Sequence, residues 1–329
     1  MPPAPATPPS GGALSPATRQ LLPAFLGITI MGSWPLWLGL AVLRPPEVVV
    51  GLAVTLTGFA PAVAAWAVSR LLSRSSDMAG ETGLKVRTPG TAWPLWWLGA
   101  WVGMPLLVLG ALGLSAQAGT FPLDLRELSG ARAGLAALAE GSPERAAGLT
   151  PDSFLRWQLG RAALLGPFLF APAAFGHEWG WRGWLLPRLL PLGLPRALAL
   201  SGALWGAWLA PLVLAGHSYA GAPAALGVLA LLVTCTLLGA LLGVLRLGAR
   251  SVWPAVVAHA SLAAFSGVAL MGSGGVMPLL VPQGVQWSPA AAGLTGWPGW
   301  VLLAGTFGTL AVLGVLPHVA RTAAAPPPR

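Results

Sequence analysis

Hydrophobic positions gather into eight long runs, at 21–43, 48–68, 93–114, 154–175, 197–215, 224–245, 251–271 and 297–316. A bilayer core about 30 Å thick asks for roughly 20 apolar residues per spanning helix, and each run is near that length. The runs are continuously apolar. A membrane barrel would instead show alternation over segments of about ten residues. The pattern therefore predicts an all-α polytopic membrane protein with about eight transmembrane helices, folded as one domain over 19–320. Pro35, Pro105 and Pro172 fall inside runs; membrane helices tolerate them because neighbours satisfy the freed carbonyls. The stretches 1–18 and 321–329 are Pro- and Ala-rich and predict disordered tails.

Polar sequence is scarce between the runs. The one sizeable polar segment is 115–152, whose stretch LRELSGARAGLAALAE has the spacing of a short amphipathic helix. Such a helix lies at a membrane surface or serves as a lid over a substrate path. Only 8% of the 329 residues are charged, against about 25% in a soluble domain. The net charge of +9 sits in short loops rather than in an exposed basic domain, so no nucleic-acid partner is expected. Arg70, Arg74, Lys85, Arg87, Arg188, Arg196, Arg246, Arg250 and Arg321 share one side; the other has Arg44 and the mixed-charge 115–152 loop. The basic excess places both termini in the cytoplasm, in what reads as a bacterial cytoplasmic membrane. Cys235 is the single cysteine, so no disulfide framework exists.

Charge then singles out one stretch, residues 175–190, FGHEWGWRGWLLPRLL. An ionisable residue at the centre of a spanning helix costs about 2.5–3.5 kcal/mol on insertion scales, so it is paired or used. Glu178 and Arg182 are four apart and share a helix face, which predicts a buried structural pair. His177 precedes Glu178, about 100° around an ideal helix. His259 lies in the seventh run, as a reactive group or a satisfied core histidine. Arg156 and Arg161 lie near the other end of the fourth run, where snorkelling or pairing with Asp152 is expected. His217 and His318 fall at helix ends or in loops. Trp179, Trp181, Trp184, Trp205 and Trp208 read as packing or as an aromatic substrate wall. The zinc-protease motif HExxH fails, because Trp181 stands where the second histidine would be.

The sequence Glu178-Trp-Gly-Trp-Arg182-Gly183, continued by Leu186-Pro187-Arg188-Leu189, resembles the first motif of the CPBP family. These are the CAAX prenyl endopeptidases and the bacteriocin-processing or immunity membrane proteins also called Abi. LWGAWLAP at 204–211 resembles the second motif, SVWPAVVAHASLA at 251–263 the third, and PAVAAWAVSR at 61–70 the family's second helix. The signature region spans about 154–272. The resemblance implies a glutamate-dependent intramembrane endopeptidase, with its site in a cavity between helices 4, 5 and 7. It implies that the first of two consecutive glutamates activates water. A histidine of motif two, and a histidine and an asparagine of motif three, assist with or without a metal.

Arg182 sets the register. Glu178 then falls on the second glutamate, and His177 stands where the first would be. Leu209 replaces the motif-two histidine, His259 keeps the motif-three histidine, and Ala263 replaces the asparagine. Of the resembling positions, His177, Glu178 and His259 remain as catalytic candidates. No cofactor is required by the residues; a divalent ion such as zinc, held by His177 and His259, stays open. The implied partners are membrane lipid and a membrane-embedded or prenylated peptide. An endopeptidase with altered or lost catalysis is the leading expectation. A non-catalytic scaffold or immunity-type protein is the alternative. A solute transporter is disfavoured by the missing internal repeat.

Overall fold

The structure is a computed structural model describing residues 12–86, 92–216, 219, 222–266 and 276–324. All regular structure among them is helical: α1 (Pro16–Met31), α2 (Trp34–Leu43), α3 (Glu47–Thr57), α4 (Ala60–Ala67), α5 (Met78–Thr82), α6 (Trp93–Gln117), α7 (Ser129–Gly141), α8 (Pro143–Ala146), α9 (Pro151–Leu164), α10 (Gly166–Leu169), α11 (Ala171–Glu178), α12 (Leu186–Leu189), α13 (Leu194–Leu214), α14 (Ala224–Ala249), α15 (Trp253–Ser266), α16 (Trp297–Val312) and α17 (Val315–Ala324). Two π-helical turns, Val68–Leu72 and Trp179–Leu185, continue α4 and α11.

The span count differs from the eight expected. Among the described residues, five helical stretches are long and apolar enough to cross a membrane: Pro16–Leu43, Val48–Leu72, Trp93–Gln117, Leu194–Leu214 and Ala224–Ala249. The pair Trp297–Val312 and Val315–Ala323 makes a sixth if its 76° bend lies within one span. Prolines explain the shortfall at the fourth run. Pro151, Pro167 and Pro172 each stand in the first turn of a helix, so one apolar run becomes α9, α10 and α11. A proline fits that first turn, where its missing N–H would be unpaired anyway. Pro35 likewise starts α2, whereas Pro105 is interior to α6 as expected. The seventh run supplies α15, of 14 residues; residues 267–271 of that run are outside the described set.

The N-terminal helix begins inside the expected tail. Ser15 Oγ accepts from Thr18 N and Pro16 occupies the first turn, so 16–18 are helical. Residues 1–11 and 325–329 of the expected tails, and also Arg87 and His217, lie outside the described residues. The polar loop holds α7 where an amphipathic helix was expected, and Asp124 organises its start. Its carboxylate accepts from the backbone N–H groups of Glu127, Leu128 and Ser129 and from the Ser129 hydroxyl. Arg156 pairs with Asp152, and Arg161 lies over the Trp157 ring, 5.3 Å from its centroid.

The tightest helix pair is α13 against α14, where Gly202 meets the backbone of Cys235 and Thr236; a Cβ on Gly202 would stand 2.5 Å from Cys235 O. Against this pair pack α11, the π turn Trp179–Leu185 and α15, with α4 behind them. Thr234 of α14 ties the segment before α16 to this centre. Its hydroxyl donates to Thr295 O (3.0 Å) and accepts from Trp300 Nε1 (2.9 Å).

Candidate functional site

Glu178 ends α11, at the point where the helix widens into the π turn. Such widenings recur at functional sites because they re-aim side chains. Glycines seat this stretch closely on its neighbours. A Cβ on Gly176 would stand 2.7 Å from Gly58 O, and one on Gly183 would stand 2.9 Å from Thr82 O. The α5 segment secures the same stretch from outside. Trp179 Nε1 donates to Thr82 Oγ1 (2.9 Å), and Arg188 pairs with Glu81 at 3.2 Å.

Glu178 and Arg182 are both fully buried, with Arg182 Nη1 3.2 Å from Glu178 Oε1. The predicted pair exists, but it is not isolated. His259 of α15 places Nδ1 2.8 Å from the same oxygen. Its side chain keeps 16% exposure, so this imidazole reaches the edge of the buried cluster. The guanidinium of Arg182 lies over the Trp205 ring, 4.4 Å from its centroid. A Cβ on Gly239 would stand 2.6 Å from Arg182 Nη2, so a glycine in α14 makes the space for that group. Glu178 Oε2, Arg182 Nε and Arg182 Nη2 have no hydrogen-bond partner among the described residues. The cluster therefore keeps unspent polar capacity at its centre.

His177 joins the cluster from the adjacent position. Its ring centroid is 5.2 Å from that of His259, at 82°. Trp205 Nε1 donates to His177 Nδ1 (3.2 Å). An indole N–H can only donate, so Nδ1 is an acceptor and the proton of the neutral ring sits on Nε2. Nε2 faces Gly58: a Cβ there would stand 2.9 Å from it. Adjacent residues of one helix thus meet a common partner, despite the 100° that separates them on an ideal helix.

Leu209 and Ala263 are half-buried and pack against the apolar core. Neither carries a donor or a ligating atom. No three His, Cys, Asp or Glu side chains among the described residues are grouped to hold a metal ion. The donor set does not fit the zinc site that the sequence left open, and no chemistry below is routed through one. Two large grooves among the described residues lie elsewhere. One runs between α6, α14 and α16–α17, the other beneath α7, and neither is lined by His177, Glu178 or His259.

The sequence did not reveal Trp205 as the link between His177 and Arg182. Nor did it reveal Gly58 and Gly239 as the clearances beside those groups. An indole N–H inside an apolar helix was the available signal, since it needs an acceptor. The remaining tryptophans pack as expected: Trp181 and Trp184 are fully buried, and Phe25 stacks on Trp184 at 4.5 Å. Trp208 is also buried, and it donates to Ser33 Oγ at the α1–α2 break (2.7 Å).

Fold and site together define a polytopic helical membrane protein with a carboxylate, an imidazole and a guanidinium gathered within its apolar interior. Residues 158–265 match the family model described as type II CAAX prenyl endopeptidase Rce1-like. That region, from α9 to α15, is similar to the Rce1-like CAAX prenyl endopeptidases, in agreement with the motif resemblance. The matched region holds Glu178, Arg182, Leu209, His259 and Ala263. No curated protein and no solved structure matches the chain.

Proposed function

We propose that the protein is an intramembrane endopeptidase whose centre is rebuilt around His259 as general base, with Glu178 as its orienting carboxylate. The 2.8 Å contact between His259 Nδ1 and Glu178 Oε1 carries this reading. A carboxylate bonded to one ring nitrogen fixes the tautomer, leaves the lone pair on Nε2, and stabilises the imidazolium once it forms. The missing first glutamate is thereby bypassed. His259 Nε2 takes a proton from water as the water oxygen bonds to the scissile carbonyl carbon. His177, with its proton on Nε2, serves as donor to the oxyanion. The imidazolium then returns the proton to the leaving amine as the C–N bond breaks. Arg182 offsets the buried negative charge of Glu178, and Trp205 holds both Arg182 and His177 in place.

The substrate in this reading is a membrane-embedded or prenylated peptide, met at the edge of the cluster where His259 keeps 16% exposure. The protein works in a bacterial cytoplasmic membrane with both termini in the cytoplasm. A second reading, a non-catalytic scaffold or immunity-type protein that binds a membrane partner, is favoured by one observation. Leu209 and Ala263 present half-buried hydrocarbon where the family implies histidine and asparagine.

Cleavage of a membrane-embedded peptide library, prenylated and plain, by the purified protein decides between them. The endopeptidase reading expects cleavage that His259→Ala abolishes and His177→Ala weakens. Cleavage no greater than that of His259→Ala selects the scaffold. In that case the combined change His177→Glu, Leu209→His and Ala263→Asn tests whether the scaffold regains hydrolysis.

A further inference from the structure

One apolar groove of the molecule is independent of the proposed catalytic centre. It has a volume of about 970 Å³ and runs between α6, α14 and the bent pair α16–α17. Its size is at the upper end of small-molecule sites. Gly99 and Gly103 of α6 line it, and a Cβ built on either would meet nothing within 4 Å. These glycines are not explained by close packing; they leave an open floor. Leucines from α6, α14 and α16 supply part of the remaining wall.

The groove is polar in part of its lining. Arg250, the left-handed cap of α14 with φ 51°, lines it. The 76° bend between α16 and α17 swings α17 in, and His318 and Thr322 line the groove as well. No acidic side chain lines it, and Arg250 takes part in no ion pair among the described residues. The groove therefore offers uncompensated positive charge beside a wide hydrocarbon slot.

We infer that this groove binds an anionic phospholipid, its acyl chains along the α6 glycines and its phosphate beside Arg250 and His318. Basic pockets between membrane helices attract such headgroups, at about 1 kcal/mol per basic residue near the surface. A peptide fits the slot poorly. Its backbone N–H and C=O groups would need partners inside hydrocarbon, and the Thr306 hydroxyl of the wall is already donated to Leu302 O. Acyl chains need no partners.

The test is native mass spectrometry of the full chain in mild detergent, titrated with phosphatidylglycerol and with phosphatidylcholine of identical acyl chains. Phosphatidylglycerol is expected to bind more tightly. Arg250→Gln should weaken it about fivefold and leave phosphatidylcholine unchanged, which also shows that the variant is folded. His318→Gln, on an exposed position, provides the same comparison away from the left-handed cap. Gly103→Leu should fill the floor and weaken both lipids. Equal binding of the two lipids, indifference to both Arg250→Gln and His318→Gln, or unchanged binding in Gly103→Leu overturns the proposal. So does conversion of a dimer to a monomer by Gly103→Leu, which would assign the groove to a second copy of the chain.

Discussion

Glu178 and His259, 81 residues apart in sequence, meet at 2.8 Å through the one carboxylate oxygen that also faces Arg182 at 3.2 Å. One buried acceptor thus holds α11 and its π turn to α15. Removing its charge would leave Arg182 buried and unpaired, a loss of about 3–5 kcal/mol. Glu178→Gln is expected to lower unfolding stability in mild detergent by that order. Glu178→Gln combined with Arg182→Met should recover most of it, because the uncompensated charge goes too. A double variant no more stable than the single one would contradict the pairing.

Gly58 tests the placement of His177. Alanine there sets a methyl 2.9 Å from His177 Nε2, so the ring must shift. A catalytic group displaced by about 1 Å loses on the order of 100-fold in rate. Gly58→Ala is expected to cut peptide cleavage by that order. The apparent affinity for substrate should move far less. Unchanged turnover would remove His177 from the reaction.

The α5 contacts separate a buried hydrogen bond from an exposed ion pair. Thr82 is buried and accepts from Trp179 Nε1, so Thr82→Val strands that donor and should cost about 1–3 kcal/mol. Glu81 is exposed where it meets Arg188, so Glu81→Gln should cost about 0–1 kcal/mol. Limited proteolysis of residues 73–86 reads the difference: faster nicking in Thr82→Val and near-normal nicking in Glu81→Gln.

Asp124 gives the surface helix α7 a pH dependence. The Ser129 hydroxyl, then the Ser129 backbone N–H, hold its carboxyl down from the usual 3.8 to about 2. The folded-state value is the lower one, so its contribution is present above the unfolded value and fades as pH falls from about 4 through 2. Hydrogen exchange of the α7 amides should therefore lose protection across that window. Asp124→Asn should start with less protection and show a flatter profile. Equal profiles for the two proteins would exclude Asp124 as the organiser of α7.

Some of this was legible in the sequence because it is local. The Glu178–Arg182 pair follows from a spacing of four. The helix at 129–141 follows from its periodicity, and the resemblance to the CAAX endopeptidases from three short motifs in order. The count of eight spans is not confirmed among the described residues, because a hydropathy run does not register where a proline restarts a helix. Pro167 and Pro172 divide a continuous apolar stretch into three helices without making it less apolar. Trp205 was read as packing, although it links two functional groups, because its partners lie on another helix.

The sequence by itself determined an all-helical membrane protein, the motif-bearing region and the charged pair, since each rests on composition or on near neighbours along the chain. Only the tertiary structure decided how the polar atoms are shared. It gave Glu178 Oε1 to His259 as well as Arg182, gave the His177 Nδ1 lone pair to Trp205, and set His177 Nε2 against Gly58. Carboxylate and imidazole lone pairs are directional, and those buried away from solvent need protein partners. Their partners are therefore fixed by how α3, α11, α13 and α15 pack, which no single stretch of the chain encodes.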